Sequence, residues 1–465
     1  MLPKFLATHK IQQIANFFSS FLHFFLTSSV HTTLSMKYLL FLYLCYFAHT
    51  FSYKVLSGEA SVKLNLIQKA ILLSLIPTTS ALAGGLDRSG QSIAAFLQPG
   101  NYAEVGASYL DPDIEGSSTV KGLEGERIGD MGENYYFPTA AIKLQATNNI
   151  SFGLLYDQPF GADSQYEPTS KSFGAAGQGT SVEVTTHNIT ALVGYQPTAN
   201  WNFYAGPVYQ SVEAEVSLRG GAYKGPQILG GYDIDLKEDE AYGWIAGFAY
   251  SIPEIALKAA VTYRSEIKHE LNTKETFGFG TDGSLYIPGF TQKVLGTAVV
   301  PTYHRAEIVT PQSVNLDLQS GIAKDTLAFA NIRWVQWGQF AVKPAYISQF
   351  TGALTGKQQN LVDYSDDQWS ATVGVGRKFT QKWAANAAVG YDTGAGNPVT
   401  TLGPTEGYWS VGLGAQFSPA ENYFIAGGVK YFWLGDAEAQ TGGNVVGNFN
   451  DNTAIGYGIK LGYRF

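Results

Sequence analysis

From Asn101 onward, large apolar side chains recur at every second position in segment after segment, and the connections between these segments alternate strictly between long and short. Successive side chains of a β-strand point to opposite faces, so each segment reads as a strand with one apolar face. Fourteen strands are predicted, at 102–110, 136–147, 150–157, 182–197, 201–217, 239–251, 256–269, 312–321, 326–337, 369–379, 383–392, 408–417, 423–433 and 454–465. Asn148-Asn149, Thr198-Ala199-Asn200 and Thr380-Gln381-Lys382 typify the short links and read as tight turns. Between the short links lie long loops at 111–135, 158–181, 218–238, 270–311, 338–368, 393–407 and 434–453. A sandwich in water has no reason to sort loop length by end. An up-and-down bacterial outer-membrane barrel does, with short periplasmic turns and long outer loops. The expected fold class is therefore all-β, a 14-stranded antiparallel transmembrane β-barrel.

The last strand shows what such a wall faces. Ile455, Tyr457, Ile459, Leu461, Tyr463 and Phe465 share one side, and Gly456, Gly458, Lys460, Gly462 and Arg464 share the other. Backbone groups in hydrocarbon must all be paired, so the sheet has to close, and the apolar side then meets lipid. Trp201, Trp337, Trp369, Trp383, Trp409, Trp433 and Tyr463 fall at strand ends, where aromatic girdles are expected. Tyr463 and the terminal Phe465 resemble the C-terminal signature read by the barrel assembly machinery.

Composition agrees: of 465 residues only 15% are charged, against about 25% in a typical soluble domain, and 52 are Gly. Residues 1–83 are different in kind. Lys63 and Lys69, the apolar run from Ala70 to Ile76 and Ala81-Leu82-Ala83 have the charge, core and cleavage order of a secretory signal over about 62–83. The stretch before it reads as an extension or as a start chosen too far upstream, the latter preferred. Cleavage after Ala83 would leave a short plug-like segment at 84–100 and a barrel at 101–465. Residues 1–83 carry six Lys and one Glu, so the net charge of −8 becomes −13 for the remainder, which argues against nucleic acid as a partner. Cys45, the single cysteine, lies in the presequence, so no cysteine metal site is expected after it.

Several stretches resemble the FadL/TodX (OMPP1) family of outer-membrane transporters for hydrophobic compounds: GNYAEVGASYLDPDIEG from Gly100, ISFGLLYDQPFGADSQY from Ile150, AAVTYRSEIKHEL from Ala259, TPQSVNLDLQS from Thr310 running into RWVQWGQF, and Asp392 to Phe465. The resemblance implies fourteen strands, uptake of long-chain fatty acids by passive diffusion, an N-terminal hatch, and a kinked third strand that lets ligand leave sideways. The family's Asn-Pro-Ala hatch motif is missing here, and GGLDRSGQSIAAFLQPG is a short substitute. An aromatic-hydrocarbon channel or a general porin are the alternatives.

Parity with Gly and polar neighbours makes Lys258, Arg264, Lys268, Arg333, Lys430 and Lys460 the candidate lumenal cations for a carboxylate. Glu104, Glu266 and Asp317 are candidate inward acids that would pair with them. Pro159-Phe160-Gly161 is the candidate lateral opening, because Pro cannot donate to a ladder and Gly weakens a strand. The acidic clusters Asp111-Pro112-Asp113, Asp233-Ile234-Asp235, Glu238-Asp239-Glu240 and Asp363–Asp367 lack calcium-loop spacing. Beyond residue 83 only His187, His269 and His304 are present, and none lies in a nucleophile motif, so an enzyme is not expected. No cofactor and no metal are expected; the expected partners are outer-membrane lipid and lipopolysaccharide, the assembly machinery and the hydrophobic substrate, with the chain acting as a monomer.

Overall fold

The computed structural model describes residues 86–224, 229–277, 302–345, 347–348, 351–352 and 356–465. The presequence expected at 1–83 lies outside the described residues. Of two compact units, one contributes only Ile322–Lys324 to the described chain; the other, Leu66–Gly321 with Asp325–Phe465, holds everything that follows.

Fourteen strands close into an antiparallel barrel. They are β1 (Tyr102–Asp113), β2 (Tyr135–Gln145), β3 in two pieces (Ile150–Asp157 and Gly161–Gln165), β4 (Ser181–Tyr195), β5 (Trp201–Arg219), β6 (Gly231–Ile252), β7 in two pieces (Leu257–Arg264 and Ile267–Phe277) and β8 in two pieces (Thr302–Thr310 and Ser313–Ala323). There follow β9 (Thr326–Val335), β10 (Gln368–Lys378), β11 (Trp383–Asp392), β12 (Tyr408–Ala420), β13 (Tyr423–Leu434) and β14 (Thr453–Arg464). Sequence neighbours pair around the ring, and β1 closes it on β14 in unbroken register from Tyr102↔Arg464 to Asp113↔Thr453. No edge is left along that closing seam.

The outer wall is apolar because the alternation in the sequence is obeyed. Leu154, Val193, Phe203, Val389, Leu413 and Ile459 are all exposed, whereas their strand neighbours Leu155, Leu192 and Tyr204 are buried inside. Several strands are longer than expected: β6 begins at Gly231, β7 runs to Phe277 and β8 begins at Thr302, so two predicted loops, 218–238 and 270–311, shrink. Tyr232, Ile234 and Leu236 are buried while Asp233 and Asp235 are not, so period 2 continues past the membrane with acidic residues on the outer side. The loops after β1, β11 and β13 add a five-stranded sheet from Gly116–Ser118, Arg127–Ile128, Val399–Thr400, Ala437–Thr441 and Asn444–Phe449. Tyr166 donates to the Thr401 carbonyl at 2.6 Å and Ser164 to the Leu402 carbonyl at 3.0 Å, tying the loop after β11 to the β3 side.

Most of the expected girdle aromatics are exposed, with Trp201, Trp383, Trp409, Trp433 and Tyr463 on the outside. Trp337 is not among them. The chain leaves β9 at Val335 and turns inward through the short 3-10 turn Trp337–Gln339, so the indole is fully buried and donates from Nε1 to Gln368 at 2.7 Å.

Candidate functional site

The third strand does break where Pro159 and Gly161 disfavour a ladder. On the β4 side, pairing runs to Asp157↔Asn188 and resumes at Gly161↔Thr185, so three residues of β3 face two of β4. Thr186 holds the extra residue, accepting from the Phe160 N–H at 3.0 Å and donating to its carbonyl at 2.6 Å. On the β2 side the loss is larger. The ladder stops at Ala140↔Tyr156, and contact returns only at the bridge Gly132↔Ser164. Pro138 lies in the unpaired stretch of β2, where a missing N–H costs nothing.

The N-terminal segment takes the place of β2 here. Arg88 N–H donates to the Pro159 carbonyl at 2.7 Å, and Gly161 N–H donates to the Leu86 carbonyl at 2.9 Å. Beyond this bridge the segment touches strands all round the interior. Ser89 donates to Asp157 at 2.5 Å, Phe96 packs edge-on against Tyr204 with centroids 5.7 Å apart, and Ile93 and Phe96 are fully buried.

Above it lies an apolar cavity with an open mouth. Leu86, Phe160, Gly161 and Ala162 form one side of it, Val212, Val216 and Ile308 another. Trp337 stands against Phe160 at 5.5 Å between centroids, and against Phe340 and Tyr364 at 5.2 and 5.3 Å, in edge-on contacts that suit aromatic quadrupoles. Burial pushes the Tyr364 phenol up, so it stays a neutral donor at the cavity wall. Asp87 and Asp163 are the charged residues of the described lining; Lys and Arg are absent from it.

The predicted cations therefore have other partners. Arg333 donates from Nε to Asp87 at 2.6 Å, from Nη1 to Asn315 at 2.6 Å and from Nη2 to Gln91 at 3.0 Å, all buried. Arg264 donates to the Gln91 carbonyl and Lys258 to the Leu97 carbonyl at 2.7 Å. Lys143, which the sequence reading missed although it has inward parity on β2, donates to the Gln98 carbonyl at 2.6 Å. These four cations grip the N-terminal segment, and charge-assisted bonds of this kind are about twice as strong as neutral ones. Lys430 stands apart, 4.7 Å from the Phe432 ring centre and 5.1 Å from that of Tyr408. Lys460 pairs with Glu104 at 2.9 Å, and Asp317 accepts from Asn331 at 2.8 Å.

Lys268 and Glu266 are corrections. Lys268 is exposed on the outer wall and pairs with Glu307 at 2.7 Å, and Glu266 is exposed beside it. The break at Ser265-Glu266 shifts parity by one, so Arg264 points in, Lys268 points out, and His269 is the buried residue instead. At the C-terminus, Tyr463 and Phe465 are both exposed with their rings stacked 5.7 Å apart.

A closed barrel with an apolar cavity and an interior N-terminal segment defines a membrane channel for hydrophobic molecules. Residues 92–465 match the outer membrane protein transport protein family (OMPP1/FadL/TodX), and the chain belongs to that family. It is an outer-membrane transporter of hydrophobic compounds and not an enzyme. Its fold is similar to that of a Pseudomonas aeruginosa FadL homologue (TM-score 0.63, 17% identity, 84% of this chain and 94% of that chain). It is also similar to the P. putida toluene transporter TodX (0.54, 14%, 80% and 91%) and to the Ralstonia pickettii toluene transporter TbuX (0.51, 13%, 86% and 99%). No curated protein matches the sequence.

Proposed function

We propose that the chain takes up long-chain fatty acids by passive diffusion, with residues 86–100 as the plug and the break at Pro159-Phe160-Gly161 as a sideways exit into the membrane. The observation that carries this reading is continuity: Phe160, Gly161 and Ala162 belong both to the broken wall and to the apolar cavity. A tail held in the cavity is thus already beside the one stretch where β2 and β3 part. Burial of apolar surface supplies the affinity, about 25 cal/mol per Å².

Aromatic hydrocarbons form the second reading, favoured by a described lining without Lys or Arg and by the aromatic cluster around Trp337. The exposed Tyr463 and Phe465 fit a role in assembly, and the monomer facing lipopolysaccharide completes the proposal. The test is uptake of radiolabelled oleate and of toluene by cells that lack their own transporter and express residues 84–465 behind a standard signal. Saturable uptake of either above the vector control supports a transport path. Replacing Pro159-Phe160-Gly161 with Val-Thr-Val should cut that uptake tenfold or more while heat-modifiable gel migration still reports a folded barrel. Undiminished uptake would remove the sideways exit.

A further inference from the structure

The outer wall carries a notch that no part of the transport path uses. Arg264 pairs with Ser313 and Ile267 with Thr310, so Ser265-Glu266 of β7 and Pro311-Gln312 of β8 face each other without a ladder. On its other side β7 has lost its pairs with β6 between Leu236↔Thr273 and Ile245↔Arg264. A pocket opens outward where the two interruptions meet, lined by Tyr242, Trp244, Tyr263, Ser265, Glu266 and Gln312.

The strands fix its height. Trp201↔Tyr250 marks the inner girdle, and Tyr209↔Tyr242 lies eight residues further along β5, from 201 to 209. At about 3.3 Å per residue and a tilt of about 40° that is a climb of about 20 Å, close to the outer edge of an apolar band of about 25 Å. Charged side chains begin directly above it: Lys268 pairs with Glu307 at 2.7 Å and Arg305 with Glu270 at 3.5 Å, all exposed. The notch thus sits at the level of lipid headgroups and not of acyl chains.

Its chemistry selects among headgroups. Trp244 and Tyr263 stand 5.0 Å apart between ring centres, and Trp244 and Tyr242 are 53% and 72% exposed. Tyr263 donates to Gln312 at 2.6 Å and Gln312 donates on to Gln336 at 2.6 Å, which fixes that side of the pocket. The Glu266 carboxylate is exposed and makes no hydrogen bond or ion pair among the described residues, and the Trp244 indole N–H is likewise free. Free acceptors and a free donor therefore converge beside open aromatic faces. A phosphate has only acceptors and is repelled by Glu266; an ammonium has only donors and leaves the indole N–H unmet. Sugar hydroxyls do both, and the C–H face of a sugar ring packs on the negative face of an aromatic ring.

We propose that this notch binds the sugar headgroup of a glycolipid in the outer leaflet. Glu266 accepts from its hydroxyls, the Trp244 indole donates to one of them, and the sugar ring lies on Trp244 and Tyr263. The lipid's chains then run down the apolar wall past Phe248 and Val261, which face each other across β6 and β7. A bound headgroup also keeps hydrocarbon away from the backbone groups that the interrupted ladder leaves unpaired. The proposal rests on the outer-membrane placement of the chain and is independent of what passes through the barrel.

The test is competition for the purified full-length barrel in detergent between equal amounts of monoglucosyl diacylglycerol and phosphatidylethanolamine with the same chains, read by native mass spectrometry. The wild type should retain the glucolipid in at least about fivefold excess, as one or two added hydrogen bonds imply. Trp244→Leu and Glu266→Gln should each bring the ratio to about one, while Trp201→Leu, at the inner girdle, should keep the excess. Heat-modifiable migration reports the fold of each variant; if Trp244→Leu fails it, the exposed Glu266→Gln decides alone. A wild-type ratio near one, an excess of the phospholipid, or an excess of the glucolipid preserved in Glu266→Gln overturns the proposal.

Discussion

Among the described residues two seams lose a long stretch of ladder, and they are covered in different ways. Between β2 and β3 the pairing ends at Ala140↔Tyr156, and the facing edges carry Pro138, Pro159 and Gly161, which offer little to bridge with. The space is covered from inside by Leu86 and Arg88, which belong to a separate, non-ladder segment. Between β6 and β7 the pairs run from Tyr232↔Phe277 to Leu236↔Thr273 and resume only at Ile245↔Arg264. Here the strands' own side chains replace the ladder. Asp239 accepts from the Glu270 N–H at 3.1 Å and lies 3.3 Å from His269, Trp244 and Ser265 exchange two bonds of 3.0 Å, and Ile267 fills the space over Gly243. On the proposed sideways exit, only the first of these covers belongs to a separate segment that could be withdrawn, and missing pairs alone do not open a wall.

The comparison breaks most visibly at the anchor of the withdrawable part. Arg333→Met leaves Asp87 as an unpaired buried carboxylate and removes one of the bonds on Gln91, so ion conductance of the purified barrel in planar bilayers should rise tenfold or more. Unchanged conductance would mean that the segment is held elsewhere. A smaller effect of opposite kind is expected at the closed seam. Asp239→Ala removes the acceptor of the exposed Glu270 N–H, so the barrel should lose about 0.5–1.5 kcal/mol in urea unfolding while oleate uptake and conductance stay at wild-type levels. A leak in that variant would show the β6–β7 seam to be a second gate.

The least effect concerns the roof. Burial pushes the Glu406 carboxyl up to about 7, and it accepts from the Gly396 N–H at 3.0 Å. Its folded value lies above the ordinary 4.5, so its contribution to stability is full below 4.5 and is lost as pH rises through about 7. Hydrogen exchange of residues 393–407, corrected for intrinsic rates, should show protection falling over that window, and Glu406→Gln should flatten the change.

The wall was legible in the sequence because a lipid-facing strand announces itself at every second residue. All fourteen strands and the exposed face of β14 follow from that rule, whereas the break after Asp157 was marked by Pro159 and Gly161. Parity misleads wherever a strand is interrupted: Ser265-Glu266 sends Lys268 outward, and the end of β9 at Val335 sends Trp337 inward. Partners of the inward cations were hidden for a different reason. Gly90, Gln91, Leu97 and Gln98 hold Asn315, Arg264, Lys258 and Lys143 through backbone carbonyls, which leave no mark in side-chain chemistry. The loop sheet was equally silent, since three of its five strands have only two or three residues, too short to show a period.

The grip on residues 86–100 also bears on how the barrel is put together. Its main holds come from Lys143 on β2, Asp157 on β3, Tyr204 on β5, Lys258 and Arg264 on β7, Asn315 on β8 and Arg333 on β9. The seam that closes the ring joins β1 to β14, the last of the fourteen strands in chain order. A curved sheet of the first nine strands carries all of these contacts, so it could seat the segment before the cylinder closes, with no need to admit it through a finished mouth.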